Sequence, residues 1–225
     1  MKKHSSEQFD VLSNTLRVLP EEILRLEYFI TKINEPEEGI SNIEVSFVNV
    51  FNQIYGMMCC LKDDGYISTI YDSDAITTAL CIRHVLQHQT GRIKNNLRDT
   101  LKNQTGPKPS LINYSASDSG LADTPFYINA KWIQDNINSG NNSKRLTQIN
   151  AYLNLDQIKH KIELNSGSWQ YAYICAMPII TEAVRQIVTK YGSYFAPLGF
   201  DSKVYYKHFK TINPIDTADY AIITP

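Results

Sequence analysis

The chain has 225 residues, of which 43% are hydrophobic and 20% are charged, and its formal net charge is −1. This composition is that of a globular protein and excludes an intrinsically disordered one. No apolar run approaches the ~18 residues of a membrane span, and the first ten residues lack the apolar segment of a secretory signal, so we expect a cytoplasmic protein with no membrane contact.

Apolar residues recur at three- and four-residue intervals through most of the chain, which is typical of helices with one buried face. Pro20 is expected at the first position of a helix, and Glu35 to Gly39 is expected to be a loop. The predicted helices cover residues 5–18, 20–34, 43–62, 72–103, 127–137, 144–165 and 169–194. The helix over 43–62 is apolar most of the way round, so it should be the central one, with Cys59 and Cys60 as buried reduced thiols.

Several signals mark where these helices end. Asp63-Asp64-Gly65 predicts a break, followed by a short β-prone link over 66–71. The region 104–125 lacks helical periodicity and is interpreted as a long loop, with Tyr114 as a possible stacking residue. Pro178 is expected to kink or divide the last long helix, in which Glu182 and Arg185 have the spacing of a surface ion pair.

The tail, from Phe200 to Pro225, alternates irregularly and predicts short strands over 203–206 and 220–223. The chain is therefore expected to be all-α, with six to eight helices in one bundle-like domain over 1–199. A short irregular or β-containing C-terminal extension or arm is expected over 200–225.

The helix over about 72–103 carries the most unusual side chains. Side-chain oxygens of Asp72, Ser73 and Asp74 predict its start. At ~100° per residue, one side gathers an apolar stripe that includes Ala79, Ile82 and Leu86. The opposite side gathers imidazoles, amides and cations, namely His84, His88, Asn95, Arg98 and Lys102.

This region is basic in a slightly acidic protein. Six cations and one anion, Asp99, lie between Arg83 and Lys108, a net of +5, so the remaining residues carry −6. Such a local charge indicates an anionic ligand, with phosphate the leading candidate, although a solvated helix face would look the same. The residues expected to bind RNA are Arg92, Asn95, Arg98, Lys102 and Lys108.

Within this helix, Arg83-His84-Val85-Leu86-Gln87-His88 resembles the signature of HEPN domains, which are helical-bundle ribonucleases. That signature is an arginine, a polar or ring residue, three further residues and a histidine, following an apolar run on a bundle helix. The resemblance covers about 30 residues. It implies a metal-independent RNA endonuclease without a cofactor, a homodimer in which two motifs meet, and a toxin or anti-phage defence setting with a cognate antitoxin or regulator.

The residue types suit metal-free cleavage of RNA. Histidine exchanges protons near neutral pH, and arginine presents charged donors that match phosphate oxygens. The resemblance implies His88 as the acid/base group, Arg83 as the phosphate clamp and His84 as an orienting or backbone-binding residue. Because Arg83 and His88 lie ~140° apart on an ideal helix, the long arginine stem or a second subunit must bring them together.

Other interpretations remain open. His84 and His88, four residues apart, could bind zinc, although no glutamate follows His84. Both histidines could also be structural. The alternative function is a non-catalytic helical module that binds RNA, a nucleotide or an acidic protein, as a regulator or antitoxin-like protein, and a third is a helical protein with no nucleic-acid role.

Overall fold

The computed structural model describes residues 4–88, 115–116, 122–123, 127–138, 143–165, 167–215 and 222–223. The fold is all-α with a small β component, as the sequence predicts. Its α-helices are α1 (His4–Tyr28), α2 (Pro36–Asp63), α3 (Asp74–His88), α4 (Ala130–Asn138), α5 (Ser143–Leu153), α6 (Leu155–Leu164), α7 (Ala176–Tyr191) and α8 (Phe200–Thr211). A π-helical turn, Phe29–Ile33, continues α1, and a 3-10 turn, Trp169–Tyr171, precedes α7.

The strands are short and antiparallel. They are β1 (Ser115–Ala116), β2 (Ala122–Asp123), β3 (Tyr127–Asn129), β4 (Tyr173–Cys175) and β5 (Ile222–Ile223). β1 pairs with β2, and the other three form a sheet in the order β3-β4-β5. Ile174 at the centre of β4 lies opposite both Ile128 and Ile222. The strand predicted near the end of the chain is therefore confirmed at Ile222–Ile223.

Internal contacts divide the chain into two units. The first combines Met1–Arg83 with Ile180–Pro214, and the second combines His84–Ile179 with Ile215–Pro225. The first unit is thus discontinuous in sequence. The sequence predicts a different division, into a bundle over 1–199 and an extension over 200–225. These contacts do not test that boundary, which stays a prediction.

In the first unit, α1 and α2 pack as an antiparallel pair. The Ser5 backbone N–H donates to Asp64 Oδ2 at 2.9 Å, and the Ser5 hydroxyl donates to the same oxygen, so the residue after α2 caps the start of α1. Phe9 of α1 and Phe47 and Phe51 of α2 are fully buried. Residues 43–62 are helical within α2, as predicted, and most of their large apolar side chains are buried, although Val45 is 51% exposed.

The segment after α7 is tied back onto α1. The Asp10 carboxylate accepts the backbone N–H groups of Leu198 and Gly199, each at 3.0 Å. The rings of Phe9 and Phe195 lie 4.7 Å apart, and Tyr206 meets both edge-on. These contacts hold α8 against α1.

In the second unit, Asn129 organises the start of α4. Its side-chain oxygen accepts the Trp132 backbone N–H at 2.8 Å, and its amide nitrogen donates to the Gln170 carbonyl at 2.9 Å. A helix thus begins directly after β3, and Ile133 and Ile137 bury its inner side. The helix predicted over 127–137 is therefore wrong in its first three residues, which form β3.

Two predicted boundaries in the first forty residues are also wrong. Pro20 lies inside α1, which continues through it, so no helix begins there. The missing hydrogen bond at Pro20 is outweighed by the packing of α1 on α2. Residues 36–39, expected in a loop, are helical because Pro36 occupies the first position of α2, where its missing N–H costs nothing.

Corrections in the C-terminal half have similar causes. The helix predicted over 144–165 is two helices parted at Asn154, whose φ is +51°. The helix predicted over 169–194 becomes a 3-10 turn, β4 and α7, and Pro178 lies in the first turn of α7, where a proline is tolerated. Residues 203–206, predicted as a strand, belong to α8, because its packing on α1 overrides their β propensity.

Two side-chain environments also differ from expectation. The thiols of Cys59 and Cys60 are free but half-buried rather than buried. Glu182 and Arg185 do form an ion pair, yet only 5% and 14% of their side chains are exposed, so this is a buried pair and not a surface one.

Candidate functional site

Helix α3 carries the arginine–histidine motif, and it begins at Asp74 as predicted. Every side chain from Ala75 to Ile82 is buried, so this part of the helix is enclosed on all sides. The predicted apolar stripe is buried as expected, but the exposed face opens only at the motif itself, where Arg83 is half-buried and His84 is exposed. Because residues 75–82 are buried on every side, the helix is held in one position, and this sets the position of Arg83 at the start of the motif.

The guanidinium of Arg83 is held by two groups of α2. Its Nε donates to Asn52 Oδ1 at 3.1 Å. Its Cζ lies 4.2 Å from the centroid of the Tyr55 ring, well within the ~6 Å range of a cation–π contact. Because these contacts use Nε and one face of the group, the four N–H donors of the two terminal nitrogens are not consumed by them.

Both supporting groups are neutral, which distinguishes Arg83 from other arginines. Arg17 binds Glu21 and Asp201, Arg25 binds Glu22, and Arg185 binds Glu182. Within the described part of the chain, no carboxylate lies within ion-pair distance of Arg83. The guanidinium is therefore oriented without its positive charge being neutralised by a partner there.

The ring beneath Arg83 belongs to a small polar cluster. A hydrogen bond with the Cys59 side chain, then the negative charge that Cys59 carries when ionised, and burial raise the pKa of Tyr55, while the positive charge of Arg83 acts in the opposite direction. Tyr71, on the link between α2 and α3, also contributes to this raised pKa. The phenol therefore stays protonated at neutral pH and supports the cation as a neutral ring.

The structure describes only part of the set formed by the motif histidines and the predicted RNA-binding residues. His84 is exposed, and His88 is the last described residue of α3, with its side chain outside what the structure describes. Arg83 belongs to the first unit, whereas His84 and His88 belong to the second. The five predicted RNA-binding residues, Arg92, Asn95, Arg98, Lys102 and Lys108, lie outside the described residues, as do Tyr114 and most of the predicted 104–125 loop.

Sequence reasoning did not identify Asn52, Tyr55 or Cys59 as site residues. They occur at i, i+3 and i+7 on α2, so they form one polar stripe along a helix that is otherwise strongly apolar. That stripe was the available signal, but only the fold shows that Arg83, which follows 31 residues after Asn52, packs against it.

The described residues contain no cluster of three or more His, Cys, Asp or Glu side chains suited to a metal ion. None of the described helices combines the length and apolarity needed to cross a bilayer. Comparison with protein-family models, curated proteins and solved structures finds no match to this chain.

Proposed function

We propose that the protein is a HEPN-like, metal-independent RNA endonuclease that acts as a homodimer. The observation that carries this proposal is Arg83, a half-buried guanidinium oriented by an amide and an aromatic ring and not paired with a described carboxylate. An arginine held in this way can receive a phosphate without first breaking an ion pair with any carboxylate of the described residues. The role as a toxin or anti-phage defence effector rests on the motif resemblance alone.

In this proposal Arg83 and His88 divide the chemistry. His88 takes the proton from the 2′-hydroxyl, whose oxygen attacks the adjacent phosphorus to form a 2′,3′-cyclic phosphate, and the His88 imidazolium then gives a proton to the 5′-oxygen as its bond to phosphorus breaks. The terminal nitrogens of Arg83 donate to the non-bridging oxygens, on which negative charge accumulates. His84, exposed beside the arginine, binds the strand or orients the other two groups.

The test is cleavage of total RNA by purified protein, with and without chelator, by the wild type and single variants. Arg83→Ala and His88→Ala should both lose cleavage, and chelator should have no effect. Arg25→Ala is the matched control, because it also removes an arginine of the first unit but one that is exposed and paired with Glu22. A light-scattering mass should correspond to two chains.

Full cleavage by either motif variant would overturn the catalytic assignment. Cleavage that requires a metal would contradict the mechanism. Retention of RNA without cleavage by the wild type would instead identify a non-catalytic binding module. The absence of both RNA binding and RNA cleavage would exclude an RNA-directed role.

A further inference from the structure

Helix α8 presents an exposed face that the motif-based function does not use. Lys203, Lys207 and Lys210 are all exposed and recur at intervals of four and three residues, so they fall within about 60° of one another around the helix. At 1.5 Å per residue, the first and last are separated by about 10 Å along the axis. A single nucleic-acid strand in helical form carries one phosphate about every 3.4 Å along its axis, so this lysine stripe spans about three phosphates.

Large apolar side chains lie directly beside this lysine stripe. Phe200 is 81% exposed and Val204, one turn later on the same edge, is 51% exposed. Leu198, just before the helix, is 52% exposed. A phenyl ring left this open to water next to a row of cations is the pairing by which proteins stack a base while holding its phosphates.

The face is held rigidly rather than being a mobile tail. On the opposite side of α8, Phe209 and Ser202 are buried. The Tyr206 hydroxyl donates to the Gly192 carbonyl at 3.0 Å, which anchors the middle of the helix. The lysine stripe is therefore presented with little further ordering of the backbone required on binding.

The acidic residue of this helix does not lie among the lysines. Asp201 is on the side that faces α1, where its Oδ2 accepts a hydrogen bond from Arg17 Nε at 3.0 Å. The exposed face thus combines three positive charges with apolar groups and contains no carboxylate from α8 itself.

A nucleic-acid strand fits this face better than a lipid surface. A helix that lies in a bilayer interface carries its apolar residues on a broad face of its own, which enters the acyl boundary. In α8 the corresponding inner face is already buried in the protein, which leaves Phe200 and Val204, with Leu198 just before the helix, a small apolar area for insertion.

We infer that α8 is an RNA-binding surface, on which Lys203, Lys207 and Lys210 hold consecutive phosphates of a single strand and Phe200 stacks on a base. This inference rests on the proposed function in taking RNA as the ligand. It does not depend on the chemistry at Arg83.

The probe is a fluorescein-labelled, 2′-O-methylated oligouridine of about twelve nucleotides, which cannot be cut through its 2′-oxygen. Its binding is followed by anisotropy over a range of salt concentrations. The Lys203→Ala/Lys207→Ala/Lys210→Ala variant should reduce the slope of log K against log salt by about 2, from three contacts at ~0.7 each. Phe200→Ala should weaken binding by roughly fivefold or more.

The control variant Lys32→Ala/Lys62→Ala/Lys161→Ala removes the same charge from three other exposed lysines and should leave the salt slope unchanged. Equal slopes for both triple variants, or no binding by the wild type, would overturn the inference. Retention of wild-type protein on phosphatidylserine vesicles but not on the oligonucleotide would also overturn it, in favour of a lipid surface.

The two proposals fail separately. Binding of the probe through α8 without any cleavage of RNA would refute the nuclease proposal and support the α8 binding surface. RNA cleavage that depends on Arg83, together with a salt slope that is the same in the α8 triple variant and the wild type, would refute the α8 binding surface and support the nuclease.

Discussion

Arg185→Met should unfold the first unit much more readily, because it leaves a carboxylate buried without its cation. In the native protein, Arg185 Nε and Nη2 donate to the two carboxylate oxygens of Glu182, both at 2.7 Å. Gln186 donates to one of these oxygens, also at 2.7 Å. Only 5% of the Glu182 side chain is exposed, so water cannot take over the lost hydrogen bonds.

The magnitude follows from what remains after the substitution. Methionine keeps most of the length and apolar packing of arginine, so the dominant cost is electrostatic. Removing one partner of a buried ion pair typically costs about 3–5 kcal/mol, whereas removing both partners together is often near neutral. Glu182→Gln/Arg185→Met should therefore be more stable than Arg185→Met alone, a reversal of simple additivity.

Urea unfolding gives the measurement, and the two tryptophans help to assign it. Trp132 and Trp169 both lie in the second unit, so their fluorescence reports that unit, while circular dichroism at 222 nm reports the helices of both. A loss of 3–5 kcal/mol corresponds to a fall of about 1–2.5 M in the urea midpoint at a slope of ~2–3 kcal/mol per M. The shift should appear in the circular dichroism transition before it appears in the tryptophan fluorescence transition.

A loss below ~1 kcal/mol in Arg185→Met would show that the pair contributes little. A double variant less stable than the single one would contradict the idea that the lost Arg185 charge beside the buried Glu182 carboxylate is the cause.

Three further predictions concern other parts of the first unit. Gly192→Ala should lower stability by about 1–3 kcal/mol in thermal melts, because its new Cβ would lie 2.3 Å from the Val188 carbonyl oxygen, a backbone atom that cannot turn aside. A hydrogen bond from Lys190 lowers the pKa of Asp72 in the folded protein. This carboxylate therefore stabilises the fold above its unfolded pKa near 3.9, and that contribution is lost as the pH falls through the lower folded pKa. Asp72→Asn should accordingly make the free energy of unfolding less dependent on pH below about pH 4. Tyr55→Phe keeps the ring beneath the motif arginine and should cleave RNA within about twofold of wild type, whereas Tyr55→Leu should slow cleavage about 2- to 30-fold; equal rates would remove the ring from the site.

The parts of the fold that sequence predicts well are those fixed by local composition. The apolar run from Ile43 to Lys62 predicts a helix, which the structure confirms, and Gly65, with φ of +80°, marks its end. Boundaries that depend on a proline were less predictable, since the same residue can start a helix, as Pro36 does, or be carried inside one, as Pro20 is.

The site required information that no local pattern contains. Arg83 was predicted from its motif, but Asn52 and Tyr55 become its partners only because α2 and α3 pack together. Likewise the spacing of Glu182 and Arg185 predicts their pairing, while their burial depends on neighbours far along the chain. The α8 surface was missed because residues 203–206 have strand-like composition and their helix is fixed by contacts with α1.

The interrupted connectivity of the first unit has a consequence during synthesis. Its two sequence segments are separated by the whole of His84–Ile179, so α1 and α2 leave the ribosome before their later partners exist. At roughly 5–20 residues per second, the about 130 residues from His84 to Pro214 take on the order of 10 s to translate. Throughout that interval Phe9 lacks Phe195 and Tyr206, the rings that pack against it in the finished protein, so we expect the nascent α1–α2 pair to be prone to association with other chains.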